Sequence, residues 1–131
     1  DMVSQFGMKF MERAVEKGQP FFLYYPMMLT HCPFSPTPES KDWLINQDAV
    51  LSYVGDSNYF AEMVHYMDKI VGRLDEKLTE LGIRDNTMII FIGDNGTDQP
   101  IISNVGADKV SGGKGRLTPI RRSSQIPRRA S

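Results

Sequence analysis

The sequence predicts an α/β fold, and three observations predict it. Met88, Ile89, Ile90, Phe91 and Ile92 form a run of five large apolar residues, the pattern of a parallel-sheet strand covered on both faces. Phe21-Phe22-Leu23-Tyr24-Tyr25 is a second, aromatic-rich strand, set between Pro20 and Pro26. Between them lies a long amphipathic segment. Helix, strand, loop, long helix, strand is a repeating α/β order.

Each element has its own warrant. Over residues 4–17, Phe6, Phe10, Met11, Ala14 and Val15 recur at helical spacing, and Gly18 is a suitable stop. The loop from Met27 to Pro38 holds His31 and Cys32, and Pro33, Pro36 and Pro38 stiffen it without giving it regular structure. Residues 39–55 carry no clear pattern; Trp43, Leu44 and Ile45 suggest a short helical turn. From about Ser57 to Leu81, Phe60, Met63, Val64, Met67, Ile70, Val71, Leu74, Leu78 and Leu81 make a continuous stripe at steps of three and four. Most charged residues fall off that stripe, and Gly82 closes the helix. After Asp98 the chain reads as loose and polar through Gly106, Gly112, Gly113 and Gly115.

Size and charge set bounds. At 131 residues the chain forms one domain at most, with 40% hydrophobic and 24% charged residues, ordinary for a soluble globular protein. A net charge of −1 gives no general bias toward nucleic acid or anionic membrane. Residues 119–131 depart from that average: they hold Arg121, Arg122, Arg128 and Arg129 and no acid, and they read as a disordered basic tail. A polyanion contact is one use for such a tail; solvated charge is the simpler one. No apolar run approaches the ~20 residues of a membrane span, and the opening Asp1-Met2-Val3-Ser4 does not resemble a signal peptide. Cys32 is the only cysteine, which excludes an internal disulfide and a thiolate zinc cluster within the chain.

Three polar groups follow or lie beyond the two strands. Asp94 and Asn95 emerge where the strand 87–92 ends, the place where ligands collect in α/β sheets. Their hard oxygens suit Ca²⁺ or Mg²⁺. Asn95-Gly96 is equally a strong hairpin signal, and that reading stays open on the motif alone. His31 lies in the proline-rich loop, where a structural role is the common one. Lys114 lies in Gly112-Gly113-Lys114-Gly115; it is no phosphate-loop lysine, because Asp108 and Gly115 break that motif, and a solvated loop charge is the plain alternative. Asn95-Gly96-Thr97 also matches a glycosylation sequon. Tyr66 and Asp68 read as helix packing and surface.

Taken together, the motifs resemble the second half of the catalytic domain of type I, formylglycine-dependent sulfatases, of the alkaline-phosphatase superfamily. The resemblance spans about residues 5–118. It rests on Pro20-Phe21-Phe22-Leu23-Tyr24-Tyr25, Thr30-His31-Cys32-Pro33-Phe34, Tyr66-Met67-Asp68, Asp85-Asn86-Thr87, Gly93-Asp94-Asn95-Gly96 and Gly113-Lys114-Gly115, in that order. It implies a partial three-layer α/β sandwich over residues 1–118, followed by the tail 119–131. It implies Asp94 and Asn95 as ligands of a divalent metal, Ca²⁺ ahead of Mg²⁺. It implies His31 and Lys114 as groups that contact a carbohydrate or aryl sulfate ester, in a periplasmic, secreted or lysosomal enzyme. A cation and an ammonium would stabilise the charge that builds as the S–O bond breaks, and an imidazole would serve the ester oxygen.

The departures from the family matter as much. Its formylglycine arises in Cys-x-Pro/Ala-Ser-Arg, whereas Cys32 is followed by Pro33, Phe34, Ser35 and Pro36, so Cys32 is a bystander. The early aspartate pair and a further Lys and His of the family are also unmatched. The expectation is a fragment, inactive alone. The break in composition after Arg116-Leu117-Thr118 suggests a truncated or frame-shifted end. Two alternatives stand beside this reading. One is a phosphodiesterase or phosphoethanolamine transferase of the same superfamily, for which His31 and His65 are few histidines. The other is a non-catalytic α/β binding module.

Overall fold

The structure is a computed structural model and describes residues 2–43 and 55–115. The turn suggested at Leu44 and Ile45 and the tail 119–131 lie outside the described residues. The described chain contains helix α1 (Met2–Glu16), a 3-10 turn (Ser57–Tyr59) leading into helix α2 (Phe60–Glu80), a second 3-10 turn (Arg84–Asn86), and strands β1 (Ile102–Val105) and β2 (Asp108–Ser111). It divides into two compact units, Asp1–Phe91 and Ile92–Ser131.

Both helices end as the sequence predicts. Gly18 and Gly82 take φ of 62° and 68°, left-handed values that a Cβ would oppose. At the first, Gln19 N–H donates to the Ala14 carbonyl and Gly18 N–H to Val15 (2.9 Å each). At the second, Ile83 and Gly82 repeat the pair on Leu78 and Thr79 (3.0 Å each). These are Schellman caps, which satisfy carbonyls that the helix itself leaves open. At the other end of α2, Asp56 accepts a hydrogen bond from the Asn58 N–H (2.9 Å) and opens the 3-10 turn.

The stripe on α2 is buried as expected: Met63, Ile70 and Leu78 are core, and its other members are at least half-covered. The stripe on α1 is covered at Phe10, Met11, Ala14 and Val15, and its first member, Phe6, turns outward. Ser4, Gly7, Met11 and Ala14 face the packing, while Phe6 is 66% exposed and carries the Arg13 guanidinium 5.9 Å from its ring centroid. Small residues take the inner face because neighbours come close. A Cβ on Gly7 would sit 3.5 Å from Leu23 and 3.9 Å from Leu74. Phe10 meets Phe21 edge to face at 6.0 Å. Lys77 ties the two helices, pairing with Glu12 of α1 at 3.1 Å and with Glu80 of its own helix at 2.5 Å.

The predicted strands differ from expectation. Among the described residues, neither 21–25 nor 87–92 pairs with another strand. Residues 21–28 still alternate between half-buried and exposed, one face against the helices and the other bare, with Phe22 86% exposed. Met88 to Ile92 are all exposed, so the two-sided cover that the apolar run predicts is not formed. A parallel strand needs neighbours on its edges and layers on both faces. Among the described residues, the first unit supplies helices and no hydrogen-bonded strand.

The sheet that does form lies in the second unit, where the sequence reads as loose. β1 and β2 are antiparallel in the register Ile102↔Ser111 to Val105↔Asp108. Gly106 (φ 64°) and Ala107 make the two-residue loop, a Gly-X turn whose twist matches that of the strands. Ile101, just before β1, is the buried apolar residue among the described residues of this unit. An α/β fold is therefore present, with its hydrogen-bonded strands at other positions than those predicted.

Candidate functional site

His31 belongs to the first unit and is exposed on its loop. Its Nδ1 donates to the Cys32 carbonyl at 2.6 Å and lies 3.6 Å from the Cys32 thiol. In the neutral ring this places the proton on Nδ1 and leaves Nε2 as the acceptor. The Leu29–Thr30 and Cys32–Pro33 peptide bonds beside it are cis.

The loop is anchored three residues on. Phe34 is fully buried and packs edge to face on Phe60, the first residue of α2, at 5.7 Å. Its backbone pairs with Gly55 in an isolated parallel bridge, and Asp56 N–H donates to the Phe34 carbonyl (2.8 Å). A Cβ on Gly55 would fall 2.2 Å from that carbonyl oxygen, and its φ of 72° also demands glycine. Beyond Phe34 the chain stays fastened to α2 and to the 3-10 turn that opens it. Ser40 is hydrogen-bonded to Glu62, Glu39 is ion-paired with Lys69, and the Tyr59 hydroxyl donates to Asp42 at 3.2 Å.

Asp94, Asn95 and Lys114 belong to the second unit, and the structure brings their two turns together. Asp94 and Asn95 occupy an exposed bend. The residues flanking them are not paired in a ladder, so Asn95-Gly96 is not the hairpin turn that its sequence equally allowed. The hairpin between Ile102 and Ser111 carries the chain back, and Lys114 N–H donates to the Thr97 carbonyl at 3.0 Å. The Gln99 amide adds a 3.5 Å contact to the Lys114 carbonyl. A Cβ on Gly96 would lie 3.5 Å from the Lys114 nitrogen, so the two backbones are in contact. Lys114 is half-buried and, among the described residues, has no carboxylate partner.

As a metal site the second unit fits in kind and only in part. Asp94 and Asn95 offer hard oxygens on adjacent residues, but Ca²⁺ takes six to eight such ligands. Among the described residues, no group of three or more His, Cys, Asp or Glu side chains gathers in one place. His65, the other histidine, is exposed on α2 beside an open cleft of about 290 Å³ lined by Val64, Met67, Asp68, Val71 and Phe91. Tyr66 is half-covered and Asp68 exposed, the packing and surface positions that the sequence suggests.

Sequence reasoning missed the groups that join the two turns: the Thr97 carbonyl, the Gln99 side-chain amide and the backbone at Gly112. One signal was available. Ile102 to Val105 and Asp108 to Ser111 flank a Gly-Ala pair, the chemistry of a tight hairpin.

Comparison with known proteins places the chain among relatives. The sulfatase family model matches residues 3–117. Arylsulfatase G of Mus musculus is 30% identical over 90 residues, which are 69% of this chain and 15% of the relative. The uncharacterized sulfatase YdeN of Escherichia coli (strain K12) is 33% identical over 112 residues, 83% of this chain and 19% of the relative. The lipoteichoic acid synthase-like protein YvgJ of Bacillus subtilis (strain 168) is 30% identical over 91 residues, 66% of this chain and 14% of that protein. No solved structure matches. The chain thus spans less than a fifth of the length of these relatives. A family match over nearly the whole chain, together with the 33% identity to a sulfatase, identifies the chain as a member of the sulfatase family.

Proposed function

We propose that this chain carries part of the metal and sulfate site of a sulfuric ester hydrolase and is inactive by itself. The observation that carries the reading is the join in the second unit, where the Lys114 N–H bonds to the Thr97 carbonyl two residues from Asn95. A carboxylate and amide on one turn and an ammonium on the next offer a cation and an anion adjacent seats. In this reading Asp94 and Asn95 hold Ca²⁺, with water completing the shell. The bound cation would supply electrostatic stabilisation to the sulfate oxygens. Lys114 adds positive charge for the same oxygens. His31 would present Nε2 to the ester or leaving-group oxygen, its Nδ1 being committed to the Cys32 carbonyl.

The inactivity follows from the sequence. The 131 residues contain no Cys-x-Pro/Ala-Ser-Arg segment, so no formylglycine can arise in them and no covalent route to sulfate transfer is open. Affinity for Ca²⁺ is correspondingly weak, because two protein side chains fill only part of its shell. An aryl sulfate assay on the purified chain, with and without Ca²⁺, is expected to give no turnover. Hydrolysis above the buffer rate would contradict this.

The match to a lipoteichoic acid synthase-like protein supports a second reading, a phospho-group enzyme of the same superfamily. A preference for Zn²⁺ over Ca²⁺ at the Asp94 turn would favour it.

A further inference from the structure

We propose that the run Met88–Ile92 is a self-recognition strand: it pairs antiparallel with the same run of a second copy of this chain, about a two-fold axis at Ile90. The inference goes beyond the sulfatase reading and involves neither metal nor sulfate. Its first support is an open backbone. The run leaves the second 3-10 turn through an extended Thr87 (φ −125°, ψ 123°). Among the described residues, no main-chain N–H or C=O from Met88 to Ile92 takes part in a hydrogen bond. Both edges of the run are therefore free to receive a strand.

Exposure differs between the two faces. Met88 and Ile90 are 84% and 70% exposed, whereas Ile89 is 43% exposed and Phe91 lines an open cleft on α2 with Val64, Met67 and Val71. One face leans on α2 and the other is bare. The five side chains include no charge and no proline, the composition that favours strand pairing between chains. A neighbour that suits them is itself apolar and brings backbone donors and acceptors at strand spacing. A second copy of the same run meets both demands.

The flanks choose the direction and the register. Asp85 and Asn95 each lie five residues from Ile90, and Asn86 and Asp94 each lie four. Antiparallel pairing centred on Ile90 sets Met88 opposite Ile92 and Ile89 opposite Phe91. It also brings each carboxylate to the end that holds a carboxamide, Asp94 to Asn86 and Asp85 to Asn95. A carboxamide donates what a carboxylate accepts. Parallel pairing in register would instead stack Asp85 on Asp85 and Asp94 on Asp94, like charges one strand spacing apart. A one-residue slip of the antiparallel register would set the bare face of one copy beside the α2 face of the other. The two-fold register at Ile90 avoids both faults.

The test places single cysteines in the full chain on a Cys32→Ser background, oxidises them with diamide and reads cross-linked dimer on non-reducing gels. All three positions used are exposed, so a cysteine there empties no core. In the proposed pairing the two Ile90 positions face each other within disulfide reach, whereas the two Met88 positions are about 13 Å apart along the strands. Ile90→Cys is expected to cross-link at least about tenfold faster than Met88→Cys or Ile92→Cys alone. An equimolar mixture of Met88→Cys and Ile92→Cys should regain fast cross-linking, between unlike chains. Equal rates at all three positions, with no gain in the mixture, would overturn the proposal, because they mark parallel pairing or contact without register. Absence of cross-linking at Ile90→Cys would overturn it as well. The wild-type chain gives an independent reading. At about 100 μM, alternate amides of 88–92 should exchange with deuterium at least about tenfold more slowly than in an unstructured chain. Unprotected amides throughout the run, or a chain that sediments as a monomer at that concentration, would overturn the proposal without any variant.

Discussion

Phe34 and Gly55 carry the geometry of the His31 loop. The ring is fully buried against Phe60, and its backbone lies too close to Gly55 for any side chain there. Phe34→Ala should lower unfolding stability by about 3–5 kcal/mol, since it empties a ring-sized volume that α2 cannot refill. Urea denaturation followed by far-UV circular dichroism would measure this, and a change under about 1 kcal/mol would mean that the ring is not a keystone. Gly55→Ala should cost about 1–3 kcal/mol or more, through both the clash and the left-handed φ. Little of this anchor was legible in the sequence. Thr30-His31-Cys32-Pro33-Phe34 marked the loop through its family resemblance, but Phe34 read only as part of a motif. Its contacts with Gly55 and Phe60 join residues more than twenty positions apart, which no local pattern records. The proposed site rests on side chains that the sequence names, Asp94, Asn95, His31 and Lys114, whereas the backbone contacts that join two of their turns were not legible in it.

At the scale of elements, periodicity located the helices well and the strands poorly. The α2 stripe is nine apolar residues long and its burial needs only a single packed layer, so local pattern and tertiary outcome agree. A strand has no such independence. Met88 to Ile92 meet every local criterion, but a strand exists only when another strand bonds to it, and no neighbour is available among the described residues. The β1–β2 hairpin succeeds because its partner is two residues away.

The inner face of residues 21–28 gives a prediction at this scale. Burial first, and then the Tyr66 phenol, hold the Tyr25 hydroxyl above its ordinary pKa of 10.0. The unfolded chain therefore releases this proton at lower pH than the folded one. Stability from this group is full below pH 10.0 and falls as pH rises through the elevated folded value. Lys77 adds to the same alkaline decline, because hydrogen bonds to Glu80 and then to Glu12 raise it above 10.5. Thermal melts from pH 9 upward should show a decline that is shallower in Tyr25→Phe. An unchanged slope would mean that the Tyr25 phenol is no more buried in the folded chain than in the unfolded one.

At the scale of the whole molecule, the notable feature is apolar surface left in solvent. Phe22, Tyr24 and Met28 present one bare face, and Met88, Ile90, Phe91 and Ile92 are exposed in turn. Unpaired strand-like segments of this composition recruit other chains. The purified chain should self-associate at micromolar concentration, and Met88→Lys with Ile90→Lys should reduce that association in sedimentation experiments. A wild-type chain that stays monomeric would show that these residues are covered in solution. The same exposure agrees with the extent of the match, since the chain spans 15% and 19% of the two sulfatase relatives compared.

The central claim is that the end of the 88–92 segment carries part of a divalent-metal site. Calorimetric titration of Ca²⁺ into the full chain, with Asp94→Ala as control, tests it most directly. Weak, saturable binding that disappears in Asp94→Ala is the predicted result. A folded wild-type chain that takes up no Ca²⁺, or one that binds it equally well without the Asp94 carboxylate, would contradict the claim.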